Sequence, residues 1–346
     1  MTAKEKHGWV RQPHMPVTYP KLYLDVARER GVDPQRILDE TGIRASVLTD
    51  PAGKISPHEF ALLVDSVLRH SGNDCLGIEV GLRQPLTTHG SLGFALMCCS
   101  TVAQALGLLE RFWHLRGRGI EWSWRVQGES LALDFQSELP APDALLQVML
   151  SSIMTGFYRG LEFLVGRTVS DGEIWLTQPE PEGFDRFRSR LPIVRFDMPV
   201  AQIRIPAALR DQPLVMASPD ALGMAVAQCE RELAMLGEGE PDMPARARKA
   251  MRLGKAGYPS PEDLAGALHL SPRTFRRHLQ AQGGSYRQLL EHARQRDALA
   301  LLENPALEVR QVGELLGYAD PANFTRAFRQ WTGMTPSQFR GMRQAG

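Results

Sequence analysis

Apolar residues recur along this 346-residue chain with two periods, and the places where the period changes mark out its elements. From 19 to 30, Leu22 and Val26 stand four apart, the spacing of a helix that buries one face. Asp33-Pro34 supplies a cap and a first-turn proline for a second helix ending near Thr41. Ser56-Pro57-His58-Glu59 is a capping box, and Phe60, Leu63, Val64, Val67 and Leu68 continue it as an apolar stripe. Further helices are predicted over 75–82, 88–99 and 101–115, the last two meeting at Ser100. Gly90 and Gly93 give the first of that pair a surface that backbone or a ligand can approach closely. The period then drops to two over 120–126 and 131–135, with Gly128-Glu129 between them, which predicts a hairpin. A long apolar helix follows over 144–165, then short strands over 173–176, 193–196 and 202–205, then a mostly apolar helix over 221–236. Residues 1–15 show no period and are read as a flexible tail.

Residues 237–244 hold two glycines, two prolines and three acids, the composition of a linker. Everything beyond reads as helix: 245–255, 261–268, 272–282, 286–302, 309–316, 321–331 and a terminal turn after Pro336. Two stretches are near twins, Ser271-Pro-Arg-Thr-Phe-Arg-Arg-His-Leu-Gln-Ala-Gln-Gly283 and Asp320-Pro-Ala-Asn-Phe-Thr-Arg-Ala-Phe-Arg-Gln-Trp-Thr-Gly333. Each starts on a capping side chain, places proline first and ends in glycine. Phe275 and Leu279 form the buried stripe of the first; Phe324, Phe328 and Trp331 form that of the second. Each is preceded by a short helix and a tight turn, the order of a helix-turn-helix, over 261–282 and again over 309–332. The two recognition helices start 49 residues apart with one long helix between them. Two readers on one rigid body can enter successive major grooves roughly 34 Å apart. The predicted fold is an α+β domain over 16–236, the linker 237–244, and an all-α domain over 245–346 with two helix-turn-helix subdomains joined by a long helix.

Charge sharpens this division. The whole chain carries a formal +1, but residues 242–346 hold 16 Lys/Arg against 9 Asp/Glu, a net of +7, which leaves −6 on the remainder. A basic tail on an acidic body points to a polyanion met by the tail alone. Overall composition, 43% hydrophobic and 23% charged, is that of a globular protein. Cys75, Cys98, Cys99 and Cys229 lack any metal-binding spacing and read as reduced thiols, so no metal and no cofactor is expected. No apolar run reaches a membrane span and the N-terminus lacks a signal-peptide core; a cytoplasmic protein without a membrane partner is expected.

On the outer face of the first recognition helix, Arg273, Thr274, Arg276, Arg277 and Gln280 are the candidate DNA contacts. The arginines can donate bidentate pairs to guanine O6 and N7 or clamp phosphates. In the second helix Pro321, Ala322, Thr325 and Arg326 are the candidates, Ala322 offering only an apolar touch to a thymine methyl. The plain alternative is a solvated basic face; duplication and local charge bias weigh against it. In the body, His89, Trp113, His114, Trp122, Trp124 and Tyr158 are candidate lining of an effector pocket, against the plain alternative that they are core, as Met149, Met154 and Phe157 are.

Over about 245–343 the tail resembles the DNA-binding domain of the AraC/XylS family of transcription regulators. The resemblance rests on Leu270-Ser-Pro-Arg-Thr-Phe-Arg-Arg-His-Leu279, on Arg294 with Ala298 and Leu301-Leu302, and on Val312-Gly-Glu-Leu-Leu-Gly-Tyr318. Its most specific part is Asn323-Phe-Thr-Arg-Ala-Phe-Arg-Gln-Trp-Thr-Gly-Met-Thr-Pro-Ser-Gln-Phe-Arg340. Gly313 departs from the family's usual alanine and is expected to weaken the second support helix by up to about 1 kcal/mol. The body is similar to the arabinose-binding-type regulatory domain through the stretch 90–106, Phe196-Asp-Met-Pro-Val200, Leu209 and Pro213-Leu214. These likenesses imply a sequence-specific regulator without catalytic residues. They also imply promoter DNA, a second copy of the chain, RNA polymerase and a small-molecule effector as partners. A dimer could use residues 221–236. A DNA-repair alkyltransferase with the same kind of tail is the enzyme-class rival; it needs a reactive cysteine and cysteine zinc ligands, whose spacing is absent. No hydrolase motif supports a third reading.

Overall fold

The computed structural model describes residues 8–117, 119–137, 139, 141–235, 243–254, 257–281 and 284–344. It divides into two units, one spanning Val10–Glu238 and one carrying the C-terminal segment from Gly239.

In the first unit β1 (Met15–Pro16) leads into α1 (Thr18–Glu29), α2 (Pro34–Thr41), α3 (Ala45–Thr49), β2 (Lys54–Ile55), α4 (Pro57–Ser71) and α5 (Leu76–Leu82). The end of the segment read as a flexible tail belongs to the fold: Met15 pairs with Ile55 in an antiparallel ladder and is buried, as is His14. A two-residue strand is too short to leave a period, which is why the pattern misses it; residues 1–7 lie outside the described residues. The capping residues act as expected. Asp33 accepts from the Gln35 amide at 2.9 Å, and the Ser56–Glu59 box closes in both directions. Then come α6 (Gly90–Met97), α7 (Val102–Phe112) and a 3-10 turn over Trp113–Leu115.

The hairpin is β3 (Ile120–Gln127) and β4 (Ser130–Ser137), followed by α8 (Asp143–Val165), β5 (Glu173–Trp175), α9 (Asp185–Arg188), β6 (Ile193–Arg195), β7 (Ala201–Pro206) and α10 (Pro219–Met235). The five strands form one sheet in the order β3-β4-β7-β5-β6, antiparallel except for the β5–β6 pair. Leu131, Leu133 and Phe135 alternate along β4 and join Ile203 and Ile205 of β7 in a core with Met154 and Tyr158 of α8. Leu145, Val148 and Met149, at the start of α8, pack instead into a second core with α1, α2 and α4, so this 23-residue helix is shared between the two cores. Position 236, the predicted end of α10, lies outside the described residues.

The second unit is helical: α11 (Met243–Ala250), α12 (Pro261–Ala267), α13 (Pro272–Ala281), α14 (Tyr286–Leu302), α15 (Val309–Leu315), α16 (Pro321–Thr332) and α17 (Pro336–Gln344). Positions 237–242 of the predicted linker lie outside the described residues, and Met243 already packs into the core of α11–α14. The helix predicted over 245–255 ends at Ala250, because Gly254 and Gly257 bridge to each other in a turn; Lys255 lies outside the described residues. So do Gln282 and Gly283, the predicted close of the first recognition helix. The terminal turn is a nine-residue helix whose Phe339 is buried 5.7 Å from Phe328, ring centre to ring centre.

Candidate nucleic-acid interface and effector cavity

The two helix-turn-helix units are built on one plan. In the first, α12 opens on a Ser260–Asp263 capping box and the Leu270 amide closes the turn on the Ala265 carbonyl at 2.9 Å. In the second, the Tyr318 amide closes on the Gly313 carbonyl at the same 2.9 Å. Both turns pass through the left-handed region just before that closure, at His269 (φ 57°) and Gly317 (φ 79°). The second turn then runs one residue longer before its recognition helix begins. Phe275 and Leu279 are buried beneath α13, and Phe324 and Phe328 beneath α16.

Gly313 has a packing reason that the family comparison alone does not supply. A Cβ there would lie 3.3 Å from the Cβ and Cδ1 of Phe324, so the glycine lets α15 and α16 cross closely.

The outer face of α13 leaves Arg273, Arg276, Arg277 and Gln280 exposed. Among the described residues Arg273 and Arg276 have no acidic partner, and Arg277 only approaches its neighbour His278, 3.3 Å away. The Thr274 hydroxyl is turned back to the Ser271 cap at 2.8 Å. On α16 the candidates are more engaged. Asp320 caps the helix by accepting from the Ala322 amide at 2.8 Å. Thr325 donates to the Pro321 carbonyl at 3.1 Å and Arg326 to the Asn323 side chain. Pro321, Ala322 and Arg326 are exposed, and so is Arg329, which the sequence pattern does not single out.

In the body the aromatic candidates separate. Trp113, Trp122 and Phe157 form a cluster of edge-on contacts with ring centres 5.5–6.4 Å apart. Trp113 and His89 line a cavity of about 80 Å³ among α1, α4, α5 and α8. That is several times the roughly 10–15 Å³ one water needs. A neighbouring cavity of about 60 Å³ shares His89, Trp113, Arg116, Gly156 and Phe157 as its wall and adds Tyr158. Tyr158 is tied to the Val169 carbonyl by its hydroxyl. His114, Trp122 and Trp124 line neither cavity; Trp122 and Trp124 pack on the sheet core and Trp122 backs Trp113 through Phe157.

Four polar cavity residues were not legible from pattern: Tyr19, Gln84, Arg116 and Ser152. Tyr19 and Gln84 hold the two nitrogens of His89, at 2.8 and 3.3 Å. Burial and, next, the Arg116 charge hold His89 down to a pKa of about 4, so it is neutral at physiological pH. Only the presence of a histidine and a glycine-bearing helix could have signalled this pocket in advance.

Comparison with known proteins finds matches over both units. Residues 31–214 match the N-terminal arabinose-binding domain of AraC transcription regulator, and residues 264–342 match a helix-turn-helix domain. The ornithine utilization regulator of Pseudomonas aeruginosa is 30% identical over 327 residues, covering 94% of this chain and 96% of that protein. The HTH-type transcriptional regulator VqsM of the same organism is 27% identical over 281 residues, covering 78% of this chain and 84% of the other. The crystal structure of the transcriptional regulator CdpR from Pseudomonas aeruginosa shares 24% identity, covers 89% of this chain and 97% of its own, and superimposes with a TM-score of 0.41.

Proposed function

The chain belongs to the AraC family of transcription regulators and is a DNA-binding regulator, and from that premise we propose how it reads DNA and what controls it. Helices α13 and α16 enter successive major grooves of one promoter site. Arg273, Arg276, Arg277, Thr274 and Gln280 serve the first groove, and Pro321, Ala322, Thr325 and Arg326 the second. The observation that carries this is the exposed arginine face of α13, which no acid of the described residues neutralises. A guanidinium left free for a planar acceptor pair suits guanine. The all-α domain, from Met243 on, is the reader. The body, from His14 through α10, binds an effector in the cavity at His89 and Trp113 and pairs two copies of the chain, with the stretch between α10 and α11 as the link; RNA polymerase is the partner at the promoter.

The test is binding to genomic DNA recovered with the full-length protein. Arg276→Ala and Arg277→Ala each weaken specific binding by about 1–3 kcal/mol for every bidentate arginine–base pair removed. Unchanged binding with both arginines removed refutes α13 as a reader. The repair-enzyme reading finds little support. It needs a thiolate, whereas burial pushes the Cys75 and Cys229 thiols up and that of Cys99 up to about 12.

A further inference from the structure

Two polar groups of the cavity wall, Tyr19 and Arg116, hold donors left without an acceptor among the described residues. Neutral His89 has one donor nitrogen and one acceptor nitrogen. Its Nε2 faces the Gln84 amide nitrogen, a donor, so Nε2 accepts and Nδ1–H donates to the Tyr19 oxygen. The Tyr19 hydroxyl proton is then left for another acceptor. Beside it stands Arg116, whose side chain is only 8% exposed and whose Nε is buried without a hydrogen bond among the described residues. Among the described residues, no acidic side chain lines either cavity.

The buried Arg116 charge is met from elsewhere. Its Nη2 pairs at 2.8 Å with Glu232, near the C-terminal end of α10. Little packing holds that end of the helix: Cys229 is the one buried residue of α10. A second pair, Arg111–Glu230, is half-exposed on both sides and contributes little. In sequence, α10 is the last element before residue 239, where the DNA-binding unit begins.

Resting on the reading of this cavity as the effector site, we propose that its ligand is a small apolar carboxylate, which displaces Glu232 from Arg116 and so releases the last turn of α10. A cavity of about 150 Å³ holds benzene, so lobes of about 80 and 60 Å³ suit an acid of roughly three to six carbons. Because Glu232 and the ligand compete for one cation, binding and release of α10 are linked.

Calorimetry on the full-length protein tests this, with isovalerate as probe and isovaleramide as its neutral counterpart. Isovalerate binds, and isovaleramide, which lacks the charge for Arg116, binds at least about tenfold more weakly. Glu232→Gln removes the competitor and tightens isovalerate about tenfold while leaving the amide unchanged. Amide exchange over 229–235 rises when isovalerate is added to the unaltered protein. Equal binding of acid and amide overturns the carboxylate assignment but leaves the cavity as an effector site. Absence of all binding overturns both. Preference for the acid, with affinity unaltered by Glu232→Gln, overturns the displacement of Glu232.

Discussion

His269 and Gly317 occupy the same place in the two turns, yet only glycine enters the left-handed region without steric cost. A side chain there costs roughly 1–2 kcal/mol, part of which returns through the smaller backbone entropy of a non-glycine unfolded chain. His269→Gly is therefore expected to stabilise the second unit by up to about 1 kcal/mol in urea unfolding. A loss of stability would mean that the exposed imidazole makes a compensating contact. His89 presents the opposite situation, a buried histidine kept neutral. Between its folded pKa of about 4 and its ordinary 6.5 the unfolded chain binds the extra proton. Stability from this group is thus complete above 6.5 and falls as pH drops through that window, by at most about 1.4 kcal/mol per pH unit. His89→Gln should flatten the acid limb of the stability profile; identical limbs would place the charge-sensitive group elsewhere.

Helix α14 holds the second reader through its side chains. Arg294 donates to the Leu316 carbonyl at 3.0 Å and to the Gly317 carbonyl at 3.3 Å, and its guanidinium stacks 4.6 Å from the Tyr318 ring centre. These are the carbonyls that the end of α15 leaves without a helical partner. Glu291 accepts from the Trp331 indole at 3.1 Å, and Arg340 of α17 caps α14 in turn by donating to the Leu302 carbonyl. Removing Arg294 leaves the Leu316 carbonyl without its donor, at a cost of about 1 kcal/mol. Arg294→Ala should then erode protection over the half-site read by α16 before that read by α13, as followed by hydroxyl-radical footprinting. Equal erosion of both halves would contradict α14's role as the brace of the second reader. The two readers also differ in readiness. Thr325 and Arg326 are already bonded within α16, whereas Arg273 and Arg276 have no acidic partner among the described residues.

Charge is segregated along the chain, +7 over 242–346 and −6 before it. A polyanion therefore gains its electrostatic affinity from the C-terminal third, and that affinity is lost as counterions are retained at higher salt. DNA affinity measured by anisotropy between about 50 and 200 mM salt should fall linearly on logarithmic axes. If Arg273 meets a phosphate, Arg273→Ala lowers the slope by about one and leaves sequence preference intact. A change of preference without a change of slope would assign Arg273 to a base instead. Among the described residues no helix is long and apolar enough to cross a membrane.

Local rules sufficed for the elements and for the readers. Caps, first-turn prolines and apolar stripes act over three or four residues, so Ser56–Glu59, Asp33, Ser271 and Asp320 announce their helices in one dimension, and the repeated unit announces the DNA face. The pair β1–β2, the early end of α11 and the length of α17 were not legible, since each depends on packing with distant residues such as Ile55, Gly257 and Phe328. The cavity at His89 is the extreme case. Tyr19, Gln84, His89 and Arg116 share no sequence spacing and meet only because α1, α5 and the turn after α7 pack around the middle of α8. A reader of DNA is one helix face and is written locally. A pocket is an absence of atoms between helices, and only packing creates it.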